Sequence, residues 1–270
     1  MDAYDAQTLI TTTEMAAVAT LVYVGADGYP RLTPVTPLLL DGEPAIALTY
    51  AMSEVARDIS TAPCVSLAFT DSRLAYVGWA PLSVAVTVEV TQDPEGELFR
   101  QELLTQEVRK FPPARQFIDS PLLQRENWWY LPRWILRVVD FETPHPITRR
   151  ETPNHALLAY EKENTLQLET VEVQNWEADS IPIRPQTSGT FFSANIPAAL
   201  FHHDFAVPDM DPRSTFLATG ILNGDRFSVE SREGTRSISG RPGLFGRLRA
   251  QRDLEKRCRA GIKQHATPGR

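Results

Sequence analysis

The stretch from Val18 to Thr70 constrains this chain most, because apolar and β-branched runs there are punctuated by two Asp-Gly pairs. Val18 to Val24 precedes Asp27-Gly28, and Thr33 to Leu40 precedes Asp41-Gly42. An Asp-Gly pair readily adopts the backbone of a tight hairpin turn, so between such runs it signals antiparallel pairing. Two successive hairpins predict three strands, the third running through Ala45 to Thr49. The pattern then changes. Ser53 can cap a helix that carries Glu54 in its first turn, and Ala62-Pro63 stops it. Val65 to Thr70 reads as a fourth strand.

Further along, Val84, Val86, Val88 and Val90 alternate with Ala85, Thr87, Glu89 and Thr91, the period of a half-buried strand. Asp93-Pro94 reads as cap and first turn of a helix to about Arg109, with Leu98, Phe99, Leu103, Leu104 and Val108 on its apolar face. Trp134 to Phe141 predicts a strand that closes a first domain, approached by Trp128, Trp129 and Tyr130. A short lead-in helix is expected before Thr11, and Thr11-Thr12-Thr13-Glu14 is expected to cap a turn before the first strand.

The proline-bearing segment from Glu142 to Asn154 reads as a linker, giving domains at 1–145 and 150–270. Beyond it, Leu166 to Val173 and Gly189 to Asn195 predict strands, with Pro182 and Pro185 breaking the segment between them. Thr215 to Ile221 and Arg226 to Ser231 form a hairpin across Asn223-Gly224, and a helix is expected from Pro242-Gly243 to about Arg259. That helix belongs to a basic tail. From Arg232 onward 11 Lys/Arg stand against 3 Asp/Glu, while the preceding residues hold 16 against 31, within a net charge of -7. Docking of the tail on the acidic body is therefore expected, and nucleic acid is not an expected partner.

The acidic start, Met1-Asp2-Ala3-Tyr4-Asp5, has no basic or apolar leader, and no run approaches the roughly 20 apolar residues of a membrane span. A soluble, cytoplasmic protein is expected. Cys64 and Cys258 are far apart and lack Cys or His at metal-ligand spacing, so no metal site is read. Signatures of a nucleophile elbow, a phosphate-binding loop and a zinc protease are absent, and Asp209 and Asp211 lack the rest of a calcium loop.

The order of these pieces resembles the flavin-binding split-barrel family of pyridoxamine 5'-phosphate oxidase. The resemblance rests on Gly28 to Pro30, the run TPVTPLLLDGEPAIALT, the Ser53 to Ile59 helix with Arg57, and Pro63 to Leu67. It implies an α+β fold, a split β-barrel followed by a smaller, strand-containing C-terminal domain. It also implies a homodimer with a small-molecule cofactor between subunits, flavin mononucleotide or a deazaflavin, and oxidoreductase chemistry. The cofactor-binding positions it points to are Arg31, Thr33, Val35, Thr49, Ser53, Arg57 and Trp129. A flavin phosphate would sit at the start of the Ser53 helix. The chain departs from the oxidase where Glu54 and Val55 replace cations and Thr33 replaces an arginine.

Two other readings accompany this one. The same helix resembles that of split-barrel haem-utilisation proteins, with Val55 where they have histidine, so a haem ligand would come from His202 or His203. Strand alternation lets only one of that pair face a given site. The third reading is a dimeric binding or regulatory protein that has lost the cofactor. The cluster Trp128-Trp129-Tyr130 reads as packing under a loop or at a subunit interface, or as a wall for a planar ligand.

Overall fold

Both Asp-Gly hairpins form, but the run between them is two strands rather than one. In this computed structural model, which describes residues 5–117, 128–187, 195–238, 240 and 243–265, β1 (Ala19–Val24) pairs with β2 (Pro30–Val35), and β3 (Pro37–Leu40) pairs with β4 (Glu43–Thr49). At the second turn Asp41 and Gly42 both have positive φ, 54° and 85°, the conformation that an Asp-Gly pair tolerates. The break at Thr36 is enforced by Pro37, which has no N–H to continue a ladder. With β5 (Val65–Phe69), β6 (Leu82–Asp93) and β7 (Arg133–Phe141), the strand order is β2-β1-β5-β6-β7-β4-β3, and a short β8 (His145–Pro146) pairs with β6. The two outer strands are consecutive in the chain. The sheet therefore curls until its edges meet at Thr36, giving an antiparallel half-barrel.

Leu21, Tyr23, Ile46, Leu48, Leu67, Phe69, Val84 and Leu136 fill its interior, and helix α2 (Ser53–Thr61) adds Ala56 and Ile59. The expected lead-in helix is α1 (Ala6–Met15), which runs on through Thr11 to Glu14, where a capped turn was expected. Those residues are helical, and the cap is Asp5, whose carboxylate accepts from the Thr8 amide at 2.8 Å. Asp93 likewise closes β6 instead of opening a helix directly. Gly96, with φ +67°, intervenes, because a side chain there would stand 2.6 Å from the Leu131 carbonyl. Asp93 still caps, accepting from the Glu97 and Phe99 amides at 3.0 and 2.8 Å. A π-helical turn at Phe99–Leu103 then leads into α3 (Leu104–Lys110).

The strand-containing second half is a closed six-stranded barrel, followed by the expected helix. Its strands are β9 (His155–Lys162), β10 (Thr165–Val173), β11 (Ser180–Pro185), β12 (Ile196–Phe205), β13 (Arg213–Asn223) and β14 (Arg226–Gly234), in the order β10-β11-β14-β13-β12-β9. The hairpin across Asn223-Gly224 is present as β13 and β14. Strand β11 overturns the expected break at its prolines. It changes neighbour in mid-strand, pairing with β14 through Pro182 and with β10 from Ile183, so the missing proline N–H groups interrupt neither ladder. The predicted strand at Gly189 to Asn195 falls almost wholly outside the described residues. The last helix, α4 (Leu244–His265), runs past Arg259 and does not stay with its barrel. Its second half returns to the first barrel, with Cys258 buried and Ile262 packed into that core. No helix among the described residues is long and apolar enough to cross a membrane.

Arg133 at the head of β7 is fully buried, its guanidinium between the rings of Phe99 (3.8 Å) and Tyr130 (4.2 Å). Glu107 lies 3.4 Å away and also accepts from the Tyr130 hydroxyl at 2.6 Å. Removing one partner of a buried pair strands the other charge, so Arg133→Met should cost about 3 to 5 kcal/mol, and Glu107→Leu added to it should recover part of that loss. Urea denaturation of the unsubstituted chain and these two variants measures this. A single-variant cost below about 1 kcal/mol would show that the pair is not what holds α3 to β7.

Candidate functional site

The positions read from the sequence as a cofactor pocket fall into three separate environments. Thr49, Ser53 and Trp129 lie beneath α4. The Ser53 hydroxyl donates to the Tyr50 carbonyl at 2.7 Å and accepts from Trp134 Nε1 at 3.0 Å. Gly261 crosses directly above, so close that a Cβ there would stand 2.2 Å from the Tyr50 carbonyl oxygen and 3.0 Å from Ser53 Oγ. The Cys258 thiol touches Thr49 and the Ala51 backbone, and His265 meets the Trp134 ring edge-on at 5.1 Å. Trp129 is buried in a cluster with Phe117, Tyr130 and Cys258 and forms no open wall. Cover for Trp129 and Tyr130, expected from a second subunit, comes from the chain's own helix.

Arg31 pairs with Asp27 at 2.5 Å, Thr33 is half-buried on the same face of β2, and Val35 belongs to the interior of the first barrel. Arg57 points outward from α2 and makes no ion pair among the described residues. The cations that were to neutralise a phosphate are thus not gathered around the start of α2, where Glu54 adds a carboxylate.

A different set of residues converges where the two barrels meet. The loop after β5 brings Asp71, Ser72 and Arg73, the connection between barrels brings Arg149 to Pro153, and the end of β12 brings His202, His203 and Asp204. Together they line a cavity of about 570 Å³. Alternation along β12 separates the histidines as expected. His202 turns inward against Trp176, with ring centroids 5.9 Å apart, and His203 turns toward the first barrel. Arg73 holds Asp71 through two guanidinium nitrogens at 3.0 and 2.6 Å and reaches Asp204 with the third. Arg150 donates to Thr70 Oγ1 at 3.1 Å, to the His203 carbonyl at 3.2 Å and to His203 Nε2 at 2.8 Å, and its guanidinium lies 3.5 Å from Asp71.

Burial sets the protonation states here. It would raise the Asp71 carboxyl, but the contacts with His203 and Arg73 and the charge of Arg150 outweigh it and hold that group far below the usual range. Burial, reinforced by Arg150, brings His203 down to about 3 and His202 to about 4, so both imidazoles are neutral at pH 7. Arg150 itself is lowered to about 10 by burial and stays charged. Among the described residues His202 Nδ1 is buried with no hydrogen-bond partner, and Arg149, 55% exposed, is engaged only by the similarly exposed Glu151. These two are the groups a ligand can recruit; the other charges hold one another.

Of this site the sequence reading had only the histidine pair. The signal for the rest was the charged groups Asp71-Ser72-Arg73 and Arg149-Arg150-Glu151, each beside a strand end, but their meeting depends on contacts between barrels.

No family model and no curated protein matches the chain. Among solved structures it is similar to a heme binding protein from Mycobacterium smegmatis, at 13% identity and TM-score 0.32 over 96% of this chain and 99% of that one. It is also similar to a protein related to general stress protein 26, of the pyridoxinephosphate oxidase family, from Clostridium acetobutylicum, at 14% identity and TM-score 0.31 over 61% and 95%. A NimC/NimA family protein from the same organism aligns at 15% identity and TM-score 0.35 over 52% and 86%. At such scores the assignment has to come from the chain's own geometry.

Two outcomes follow from this geometry. Gly261→Ala should overpack α4 against Tyr50 by about 1 to 3 kcal/mol, and Cys258, fully buried with its thiol raised by burial, should become reactive toward a thiol reagent. Unchanged Cys258 reactivity would mean that the contact is not tight. The histidines set an acid limit: both folded values lie below the ordinary 6.5, so the unfolded chain binds more protons between about 4 and 6.5. Stability is therefore full above 6.5 and falls with pH through that window, by about 1.4 kcal/mol per pH unit for each histidine. Asp71 adds loss in the same direction at lower pH. Melting curves from pH 7 to 4.5 check this, and His202→Phe should flatten the profile.

Proposed function

We propose that this chain is a small-molecule-binding protein of the split-barrel type, that it takes its ligand in the cavity between its two barrels, and that its start of α2 is not a flavin phosphate site in this conformation. The observation that carries the reading is the contrast between the two places. At α2 the polar groups are engaged by neighbours and covered by α4. Between the barrels, His202 Nδ1 and Arg149 remain for a ligand on a wall made rigid by the bonds of Asp71, Arg73, Arg150 and His203. Such a wall is preorganised, because its side chains need not be ordered when a ligand binds.

The lining also supports a ligand class. Three arginines face three carboxylates, and Pro153 is the one apolar residue among them. A flavin ring or a porphyrin would lay apolar surface on ionised groups and strip their hydration, which is costly. A small hydrophilic molecule carrying one carboxylate fits better, its acid group on Arg149 and a hydrogen-bonding group on His202. All of these residues come from one chain, so the site is complete without a second copy. Binding, rather than turnover, is the activity this supports, and flavin- or haem-dependent chemistry is the competing reading.

Calorimetry of the full chain against lactate, glycine, citrate, flavin mononucleotide and haemin, alongside an absorption spectrum of the purified protein, tests this. The expected result is binding of a small carboxylate that Arg149→Ala weakens by about 10- to 100-fold, the loss of one charge-assisted hydrogen bond. A stoichiometric flavin spectrum, or a Soret band abolished by His202→Ala, would overturn the proposal.

A further inference from the structure

A second feature, outside that cavity's lining, is a buried amine that no ion pair among the described residues explains. Lys110 ends α3 and is 3% exposed. Its Nζ donates to the Thr13 carbonyl in the last turn of α1 and, at 2.6 Å, to the Pro37 carbonyl where β3 begins. Among the described residues no carboxylate lies within ion-pairing distance of it. It lines a cavity of about 320 Å³ whose other walls include Ala17, Leu74, Ala75, Tyr76 and Pro208, with the exposed Arg109 beside it.

Burial, with Arg109 adding to it and Glu14 opposing, lowers this amine to about 7, so near neutrality a large share is uncharged. A neutral amine has two N–H groups and one lone pair. The two carbonyls use both N–H groups, which leaves the lone pair as the nucleophile. A desolvated lysine in an apolar pocket is the arrangement that forms imines with carbonyl compounds.

We propose that Lys110 is a covalent ligand site, whose amine condenses reversibly with an aldehyde held in this cavity. The nitrogen attacks the carbonyl carbon, and the carbonyl oxygen leaves as water with the two amine hydrogens. No electrons are exchanged with a redox partner. A proton taken up from solvent restores one N–H on the iminium nitrogen, enough to keep one of the two backbone carbonyls bonded. Arg109 suits an aldehyde that also carries an acidic group.

The chain has four lysines, Lys110, Lys162, Lys256 and Lys263, and the last three are exposed, so the labelling pattern is simple to read. The full chain is incubated at pH 7.5 with 4-formylbenzoate, reduced with borohydride and mapped by peptide mass spectrometry. Labelling of Lys110 at least about ten-fold faster than of the exposed lysines is expected, since at this pH an ordinary lysine is almost wholly protonated. Arg109→Ala should slow labelling by both aldehydes, since Arg109 helps keep the amine neutral, but labelling by 4-formylbenzoate more than by benzaldehyde, a selectivity that a purely structural lysine would not show. Labels confined to the three exposed lysines, or reaching Lys110 only in denaturant, would overturn the proposal. Mapping the unsubstituted chain decides this even if Lys110→Met does not fold.

Discussion

Everything in this molecule depends on strands that are buried on both faces. Along β12, Ala198, Leu200 and His202 turn into the second barrel while Ala199, Phe201 and His203 turn toward the first. Along β1 the division is the same in reverse: Leu21 and Tyr23 fill the first barrel, and Val22 and Val24 meet the second. A barrel normally keeps one face of each strand for solvent. Here the outer faces of two barrels supply a third apolar layer, in which Val22, Leu32 and Ala68 contact Leu157, Ala159 and Phe201. The two domains are thereby one packed body.

That layer decides where chemistry can happen. At its end the apolar contact gives way to Asp71, Arg150 and His203, buried because the barrels meet there, with Arg73 partly exposed beside them. Charges could not persist in such a place unpaired; Asp71 pairs with both Arg73 and Arg150, and His203 stays neutral. The consequence is a rigid wall with neutral imidazoles, assembled from segments some 130 residues apart in the chain but brought together where the two barrels pack. The C-terminal helix acts on the other side of the first barrel. By returning to cover Thr49, Ser53 and Trp129 it replaces, within one chain, the cover expected from a subunit interface.

The first barrel was legible because its signals are local. Asp-Gly turns, valine alternation on β6 and the stop at Pro63 each act over a few residues. The single strand expected over Thr33 to Leu40 failed because the curl of the sheet needs the chain to change edges at Thr36, which no periodicity reveals. In the second barrel, β9 was missed because HALLAY is apolar on both faces and so lacks alternation. β11 was missed because its prolines are tolerated only through a change of neighbour. The site was the least legible part. Arg31, Thr33, Val35, Thr49, Ser53, Arg57 and Trp129 were gathered by resemblance to one pocket, yet α4 covers Thr49, Ser53 and Trp129, Asp27 pairs with Arg31, Val35 packs into the barrel core and Arg57 points outward. The histidine pair was found, with its alternation, but not the arginines and aspartates that neutralise it.

A crystal structure of the full chain grown with the carboxylate that binds best would test this account most directly. The account predicts α4 seated on Tyr50 and Ser53, and ligand density between Arg149 and His202. Density for a flavin at the start of α2, with α4 displaced from it, would contradict the account.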